Sequence, residues 1–344
     1  MKTIKLNLET VDLYKNCFDK NGSLKDKYRI IWQLIENSTK KSYVDIAFDE
    51  KNKRTAGIYA ASCVNFLINK NIVIACQSLD TIVDENYRGQ GLFIKLAKSV
   101  YHNLEKDNVA FIYGFPNKNS IHGFVKYLNW TELAPVPFII RPLRTEYFTN
   151  KLKLLKFLPN INLPLIAIKS RDYHFVERNL FPNEINQLWK SFSKNISVSI
   201  NRDQNYLNWR YLEKPNENYR IIHCYDKSGN YEGLVIFTVK NKHGGRIGYI
   251  MELIYNPKKQ YCGSLLLNKA LKEIKKEKAD VVLAWNFKHS PNQKAFKKNL
   301  FFKLPEKLRP IELHFGVRVF SDKNNEIIKN YKNWFLSYSD SDTV

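Results

Sequence analysis

The sequence predicts a mixed α/β protein built from two similar halves. Three observations carry that prediction. Segments rich in Ile, Val, Ala and Phe alternate with segments whose apolar residues recur at helical spacing. A glycine-bearing turn, Arg88-Gly89-Gln90-Gly91, stands between one such strand and a helix. The pattern after Gly91 returns after Gly263, an offset of 172 residues in a chain of 344.

The elements follow in order. Tyr28–Glu36 has helical character. Thr55–Leu67 and Ile72–Val83 read as strands joined by a turn at Asn69-Lys70-Asn71. After the glycine turn, Phe93, Leu96, Ala97, Val100 and Leu104 mark an amphipathic helix ending near Asp107-Asn108. Val109–Phe115 is the next strand, and Pro116-Asn117 opens a helix to Leu128. Strand, glycine turn, helix, strand and helix make a βαβ unit with a phosphate-type turn at its first junction.

Laying Gly91 on Gly263 places Val109–Phe115 on Val281–Phe287. Phe124, Lys126 and Leu128 then fall on Phe296, Lys298 and Leu300, and Asp80 falls on Glu252. With five further residues inserted, Phe138 and Arg141 match Phe315 and Arg318. The shared register argues for an internal duplication; convergent patterning of two α/β segments is the competing explanation. The second copy has Gln260-Tyr261-Cys262-Gly263 where the first has its glycine turn. A Cβ blocks close approach of backbone amides to a phosphate, so one phosphate-binding turn is expected, in the first half. The Lys-, Leu- and Pro-rich stretch Pro142–Arg171 reads as a connector. The expected organisation is therefore a domain over 1–145, a connector over 146–171 and a domain over 172–344.

Composition bounds the function. Aromatics at 14% exclude a disordered chain. Lys and Arg number 55 against 33 Asp and Glu, a net charge of +22, which invites a polyanionic partner or a phosphate-bearing ligand. The lysines are scattered, and the tightest group, Lys272–Lys278, lies on the solvent face of an expected helix. A compositional bias explains that pattern as well, and no nucleic-acid partner is expected. The five cysteines are odd in number, widely spaced and without a CxxC pair. They give no sign of a disulfide framework or a metal site and fit a reducing cytosol. No apolar run is long enough for a membrane span, and the N-terminal stretch lacks the apolar run of a signal peptide, so a cytoplasmic protein is expected.

Ile82-Val83, followed by Arg88-Gly89-Gln90-Gly91-Leu92-Phe93, resembles the acyl-CoA-binding motif of the GNAT acyltransferase superfamily. The stretch Asn117–Trp130 (NKNSIHGFVKYLNW) resembles the superfamily's next motif. The resemblance is good over Thr55–Arg141 and weaker, but parallel, over Arg220–Phe320. It implies two GNAT-like domains in tandem, the second with a degenerate CoA motif, and acyl-CoA as the cofactor. The amides of Arg88, Gly89, Gln90, Gly91 and Leu92, at the N-terminus of the helix bearing Phe93, would then hold the pyrophosphate. Thr81, Ile82 and Val83 would pair with the pantetheine arm as an added strand. Asn117 and Ser120 would hydrogen-bond that arm or stabilise the start of their helix. Phe93 replaces the last glycine of the motif, crowding the turn or covering the adenine side.

The family's usual base positions correspond to Ala75, Gln77 and Leu79, none of which accepts a proton at neutral pH, and its usual Tyr acid to Phe124. Asp80 and Glu252 remain as catalytic candidates. A bulge would re-aim Asp80 toward the reacting face, and a pseudo-twofold packing of the halves would bring both carboxylates to one cleft, to orient or deprotonate an ammonium group. Each reads equally as a loop cap or a lysine partner. Tyr206, Trp209, Arg210 and Tyr211 form either a wall that stacks a base and binds phosphate or an amphipathic helix capped by Asp203. That string and Asn333–Asp342 resemble segments of tandem GNAT-like proteins of bacterial surface-polysaccharide (lipopolysaccharide) pathways. The implied function is direct acylation of the amine of a nucleotide-linked amino sugar. An aminoacyl or protein N-acyltransferase, or a non-catalytic CoA- or nucleic-acid-binding module, is the alternative.

Overall fold

The β-branched and aromatic runs of the first half form strands because their alternate side chains can be buried on both faces of one sheet. A computed structural model of the chain describes residues 1–151, 159–309 and 311–343. The first half runs β1 (Lys2–Lys5), α1 (Val11–Lys20), α2 (Lys27–Leu34), β2 (Ser42–Asp49), β3 (Arg54–Ile68), β4 (Asn71–Val83), α3 (Leu92–Lys106), β5 (Phe111–Gly114), α4 (Lys118–Leu128), β6 (Thr131–Pro135) and β7 (Phe138–Pro142). After α5 (Glu146–Lys151) come β8 (Tyr173–Glu177), α6 (Glu184–Phe192), β9 (Val198–Ile200), α7 (Gln204–Leu207), β10 (Arg220–Asp226), β11 (Tyr231–Lys242), β12 (Gly245–Tyr255), α8 (Gln260–Lys276), β13 (Val281–Trp285), α9 (Gln293–Lys298), β14 (Phe302–Lys303), β15 (His314–Val319) and α10 (Asn325–Lys329). Residues 152–158 of the expected connector lie outside the described residues.

The β3–β4 hairpin turns on Asn69 and Lys70, both at positive φ (46° and 71°), as a two-residue hairpin requires. Its register sets Cys63 opposite Cys76, and the two are joined as a disulfide with Cα atoms 4.0 Å apart. This corrects the reading of the cysteines as unpaired. Thirteen residues separate the pair in the chain, and only the antiparallel register makes them neighbours.

Two sheets result. The first has the order β1-β2-β3-β4-β5-β15-β6, with β9 added to the far end of β3. The second has the order β14-β7-β13-β12-β11-β10-β8. In each, one parallel pair stands among antiparallel neighbours: β4 with β5, and β12 with β13. The duplication explains that parallelism. It also exposes an exchange. β15, from the far end of the chain, inserts between β5 and β6, while β7 inserts between β13 and β14. These two strands carry the matched pairs Phe138/Phe315 and Arg141/Arg318. Each half thus completes the other's sheet, and the sequence boundary at 145/146 is not a boundary between sheets.

One core joins the halves. Trp334, 1% exposed, meets Phe66 and Phe111 of the first sheet at 5.6 Å between ring centroids and Phe315 of β15 at 4.8 Å. Among the described residues, no helix is long and apolar enough to cross a membrane.

Candidate active site

β4 is hydrogen-bonded to β3 along one edge as far as Val83. Its other edge meets β5 only at Cys76 and Gln77. Beyond that point the two parallel strands part. The β3–β4 register shifts there, setting Leu79 and Asp80 against Ala60 alone, a bulge that bends β4 and turns the splay outward. The wedge opens into a cleft of about 670 Å³. Ser78 to Val83 line one wall, Gly114 to Asn117 the other. A strand edge with no protein partner is a template for an extended ligand with amide groups.

At the outer end of the cleft stands the glycine turn. Gly89 and Gly91 both adopt positive φ (77° and 69°), and a Cβ on either would project into open space. Arg88 lines the cleft, and the turn feeds straight into α3 with Leu92 as its first residue. Exposed backbone amides and a helix N-terminus together suit an anion. Asp84 fixes the approach to the turn: it is 1% exposed, pairs with Arg54 at 2.6 Å and accepts from the Asn86 amide. Phe93 turns away from the glycines. Its ring packs on Phe124 at 5.3 Å and Tyr59 at 6.3 Å, so it forms a cleft wall and leaves the turn uncrowded. Asn117 caps α4, its Oδ1 accepting from the Asn119 and Ser120 amides at 3.0 and 3.1 Å. Both it and Ser120 face the cleft.

The bulge brings Asp80 to the cleft wall. Its carboxylate accepts from Tyr14 (2.9 Å) and pairs with Lys25 (2.6 Å). Burial first, and then the Asp80 charge, raise the Tyr14 pKa, which keeps that phenol protonated. Glu252 does not share this cleft. It is 1% exposed and accepts from Arg202 Nε at 2.8 Å and from Ser337 and Ser339. The two carboxylates that the duplication aligned are therefore not brought together.

The cluster Tyr206, Trp209, Arg210 and Tyr211 also departs from its expected use as a ligand wall. Asp203 caps α7, accepting from the Tyr206 amide. Arg210 is 3% exposed and donates to the Ser339 and Ser341 carbonyls at 3.3 and 3.1 Å. Tyr206 donates to the Ser339 carbonyl at 3.3 Å. Tyr211 is buried against Tyr219, ring centroids 5.0 Å apart. Trp209 stacks on Trp32 at 4.7 Å, each indole N–H donating to the other's carbonyl. Tyr206 and Arg210 thus clamp the segment 337–343, Tyr211 is turned into the core, and Trp209, half-buried, is held by Trp32. The buried Arg202 adds ion pairs to Glu252 and to Asp340 (2.6 Å). Burial and the nearby Glu252 charge push the Asp340 carboxyl up to about 6 against the pull of Arg202. The clamp delivers Asp342 and Thr343 to the cleft. Asp342, half-buried, also borders a small cavity of about 30 Å³ that shares Gln77 and Leu79 with the cleft and ends at Lys214.

A hydrogen-bond chain runs behind the wedge. Trp130 Nε1 donates to Tyr101 Oη (2.8 Å), Tyr101 and Tyr59 share a bond of 2.8 Å, and Tyr59 meets Ser78 Oγ at 2.9 Å. An indole can only donate. Either oxygen can donate in the Tyr101–Tyr59 and Tyr59–Ser78 bonds; the arrangement that satisfies the hydrogen of Tyr101, 2% exposed, runs from Tyr101 to Tyr59 and from Tyr59 to Ser78. Burial raises both phenol pKa values, so both stay protonated. In that arrangement Ser78, which lines the cleft, keeps its own hydrogen to donate there. No short motif marks Ser78 or Asp342.

A strand with a glycine turn and a helix at its end is the arrangement the acyl-CoA motif implied; the parting of that strand from its parallel neighbour is what the structure adds. Residues 7–130 match the family model described as an acetyltransferase (GNAT) domain. No curated protein matches the chain in sequence. Solved structures match the fold over nearly the full length. A GCN5-related N-acetyltransferase from Anabaena variabilis aligns with a TM-score of 0.64 at 13% identity, covering 93% of this chain and 73% of that one. Saccharomyces cerevisiae N-myristoyltransferase with bound myristoyl-CoA aligns at 0.61 and 12% identity, covering 92% and 82%. A tandem GNAT protein of the clavulanic acid pathway aligns at 0.59 and 9% identity, covering 94% and 99%. The GNAT domain sets the reaction class as acyl transfer from acyl-CoA to an amine. The second half has the fold without the turn. Gly263 lies within α8, and a Cβ there would stand 2.4 Å from the Tyr255 ring. The counterpart of the phosphate cradle is filled by protein.

Proposed function

We propose that the protein acylates a primary amine with acyl-CoA by direct attack on the thioester, without an acyl-enzyme. The cleft carries this reading: it joins a phosphate-type turn, an open strand edge and carboxylates in one line. The amides of Arg88–Leu92 would hold the pyrophosphate, and the open edge at Thr81, Ile82 and Val83 the pantetheine. The thioester would lie at the apex, where Ser78 donates to its carbonyl oxygen as negative charge develops there. Asp342 would hold the incoming ammonium, with Asp80 kept in place by Lys25 and Tyr14. The ammonium gives one proton to a carboxylate or water, the freed lone pair forms the C–N bond, the C–S bond breaks, and the nitrogen loses its second proton to solvent while the departing thiolate takes one up. Positioning of both substrates supplies much of the rate.

The acceptor we carry forward is a nucleotide-linked amino sugar of surface-polysaccharide synthesis. Its support is the pair of segments 202–211 and 333–342, which resemble tandem GNAT-like proteins of those pathways and pack together as one clamp beside the cleft. With Arg210 and Tyr211 buried, a nucleotide would lie elsewhere on the cleft mouth. The similarity in fold to N-myristoyltransferase favours a second reading, acylation of a peptide N-terminus.

Thiol release from acetyl- and longer acyl-CoAs, tested with nucleotide-linked amino sugars and with peptides, separates these readings. We expect turnover with one sugar, lost in Gly91→Trp, whose side chain would stand in the phosphate path. Turnover with peptides alone would replace the sugar reading. Silence with every amine from a folded protein that still binds acyl-CoA would overturn catalysis.

A further inference from the structure

A second pocket, of about 480 Å³, lies on the other half of the molecule and shares no lining residue with the acyl-CoA cleft. That volume is within the roughly 300–1,000 Å³ of ligand sites. β7 forms one wall and α9 another. Phe138, Phe287, Phe296 and Phe301 make its inner surface, each 8% exposed or less. Phe302 and Tyr331 stand at its rim, 51% and 36% exposed.

The polar groups around this apolar interior are cationic. Arg309 reaches in with a side chain only 5% exposed. Among the described residues its Nε has no hydrogen-bond partner and its ion-pair partner is Glu306, 3.4 Å away and 66% exposed; its guanidinium lies 5.8 Å from the Phe138 ring centroid. Lys288, Lys297, Lys303 and Lys332 also border the pocket, against the single carboxylate of Glu306. A buried guanidinium with an orphaned N–H among aromatic rings is costly unless an anion completes it. An apolar chain ending in an anionic group satisfies both demands at once. A peptide strand does not fit as well, because β7 is already paired on both edges.

We propose that this pocket binds a free single-chain anionic lipid, its acyl chain among the four phenylalanines and its carboxylate or phosphate head on Arg309 and the rim lysines. This would give part of the net charge of +22 a specific use. The site is independent of the acyl-transfer reading.

The test is calorimetric titration of the full chain with dodecyl phosphate below its micelle concentration, with an uncharged dodecyl glycoside as the control. We expect saturable one-to-one binding of the phosphate. Arg309→Gln weakens it at least tenfold, the glycoside binds at least tenfold more weakly than the phosphate, and saturating acyl-CoA does not compete. Thermal melts check that Arg309→Gln is folded, and the exposed Lys303→Glu provides a second variant with weaker binding expected. Equal binding of the glycoside, competition by acyl-CoA, or affinity unchanged in both variants would overturn the proposal. So would adsorption to phosphatidylglycerol vesicles with no binding of the monomer, which would mark a salt-screened surface effect.

Discussion

Removing one hydroxyl tests the chain of bonds behind the cleft. Ser78→Ala is expected to lower kcat about 100-fold, the lower end of the range for losing a preorganised donor, with little change in KM for acyl-CoA. Ser78→Thr restores most of the rate. An equal fall for both variants, or a loss expressed in KM, would remove Ser78 from the reacting centre. Lys214 offers a pH test. Burial, with Arg210 and Arg29 nearby, pushes its amine down to about 5 from 10.5. Between those values the unfolded chain holds one more proton than the folded one, so this residue makes stability rise with pH across that window. Lys214→Met should therefore melt several degrees above wild type at pH 6, and the gap should close as the pH approaches 10. Melting curves across that range check the sign.

The segment 337–343 and strand β4 meet at the cleft, and each is shaped by something distant in the chain. Arg202 is the hinge of the clamp, bonded to Glu252, Asp340, Ser337 and the Ile200 carbonyl. Arg202→Met leaves two buried carboxylates facing each other, at an expected cost of about 3–5 kcal/mol. Denaturant melts should show that loss, and lowering the pH toward 5 should return part of it by protonating Asp340. Glu252, read from the duplication as a catalytic candidate, accepts from Arg202 and from Ser337 and Ser339 of the tail. The duplication is visible as a pattern of elements, and the bulge that re-aims Asp80 lies where it was expected; the meeting of Asp80 and Glu252 in one cleft does not occur, because Arg202 and the tail serines hold Glu252 elsewhere.

The exchange of β7 and β15 governs how the two halves fold. Without β15, β5 and β6 of the first sheet lose the strand between them; without β7, β13 and β14 lose theirs. Fragments 1–145 and 172–344 are each expected to aggregate when expressed alone, with exposed strand edges as the cause. Co-expression should recover soluble, associated material. A monomeric, cooperatively melting 1–145 fragment would show that the exchange is dispensable. The same wiring predicts one cooperative unfolding transition for the full chain, since the core around Trp334 belongs to both sheets.

The glycine turn, the strands beside it and the helices after it were legible because their causes are local. Positive φ at Gly89 and Gly91, the Asn117 cap and apolar periodicity are all written within a few residues of where they act. The degenerate second turn was legible for the same reason, since Tyr261 and Cys262 carry a Cβ wherever they are placed. The Cys63–Cys76 bond, the Ser78–Tyr59–Tyr101–Trp130 chain and the Arg202 clamp join residues 13 to 138 positions apart, and no local pattern marks such partners. Arg210 and Tyr211 look the same in the chain whether they wall a ligand or hold a folded-back tail. Phe138 and Phe315 likewise keep one pattern in either sheet, because alternation fixes which face a side chain takes and says nothing of which strand lies next to it. Local chemistry thus set where the glycine turn and its helix stand; the long-range packing of two interlocked halves decided what stands around them.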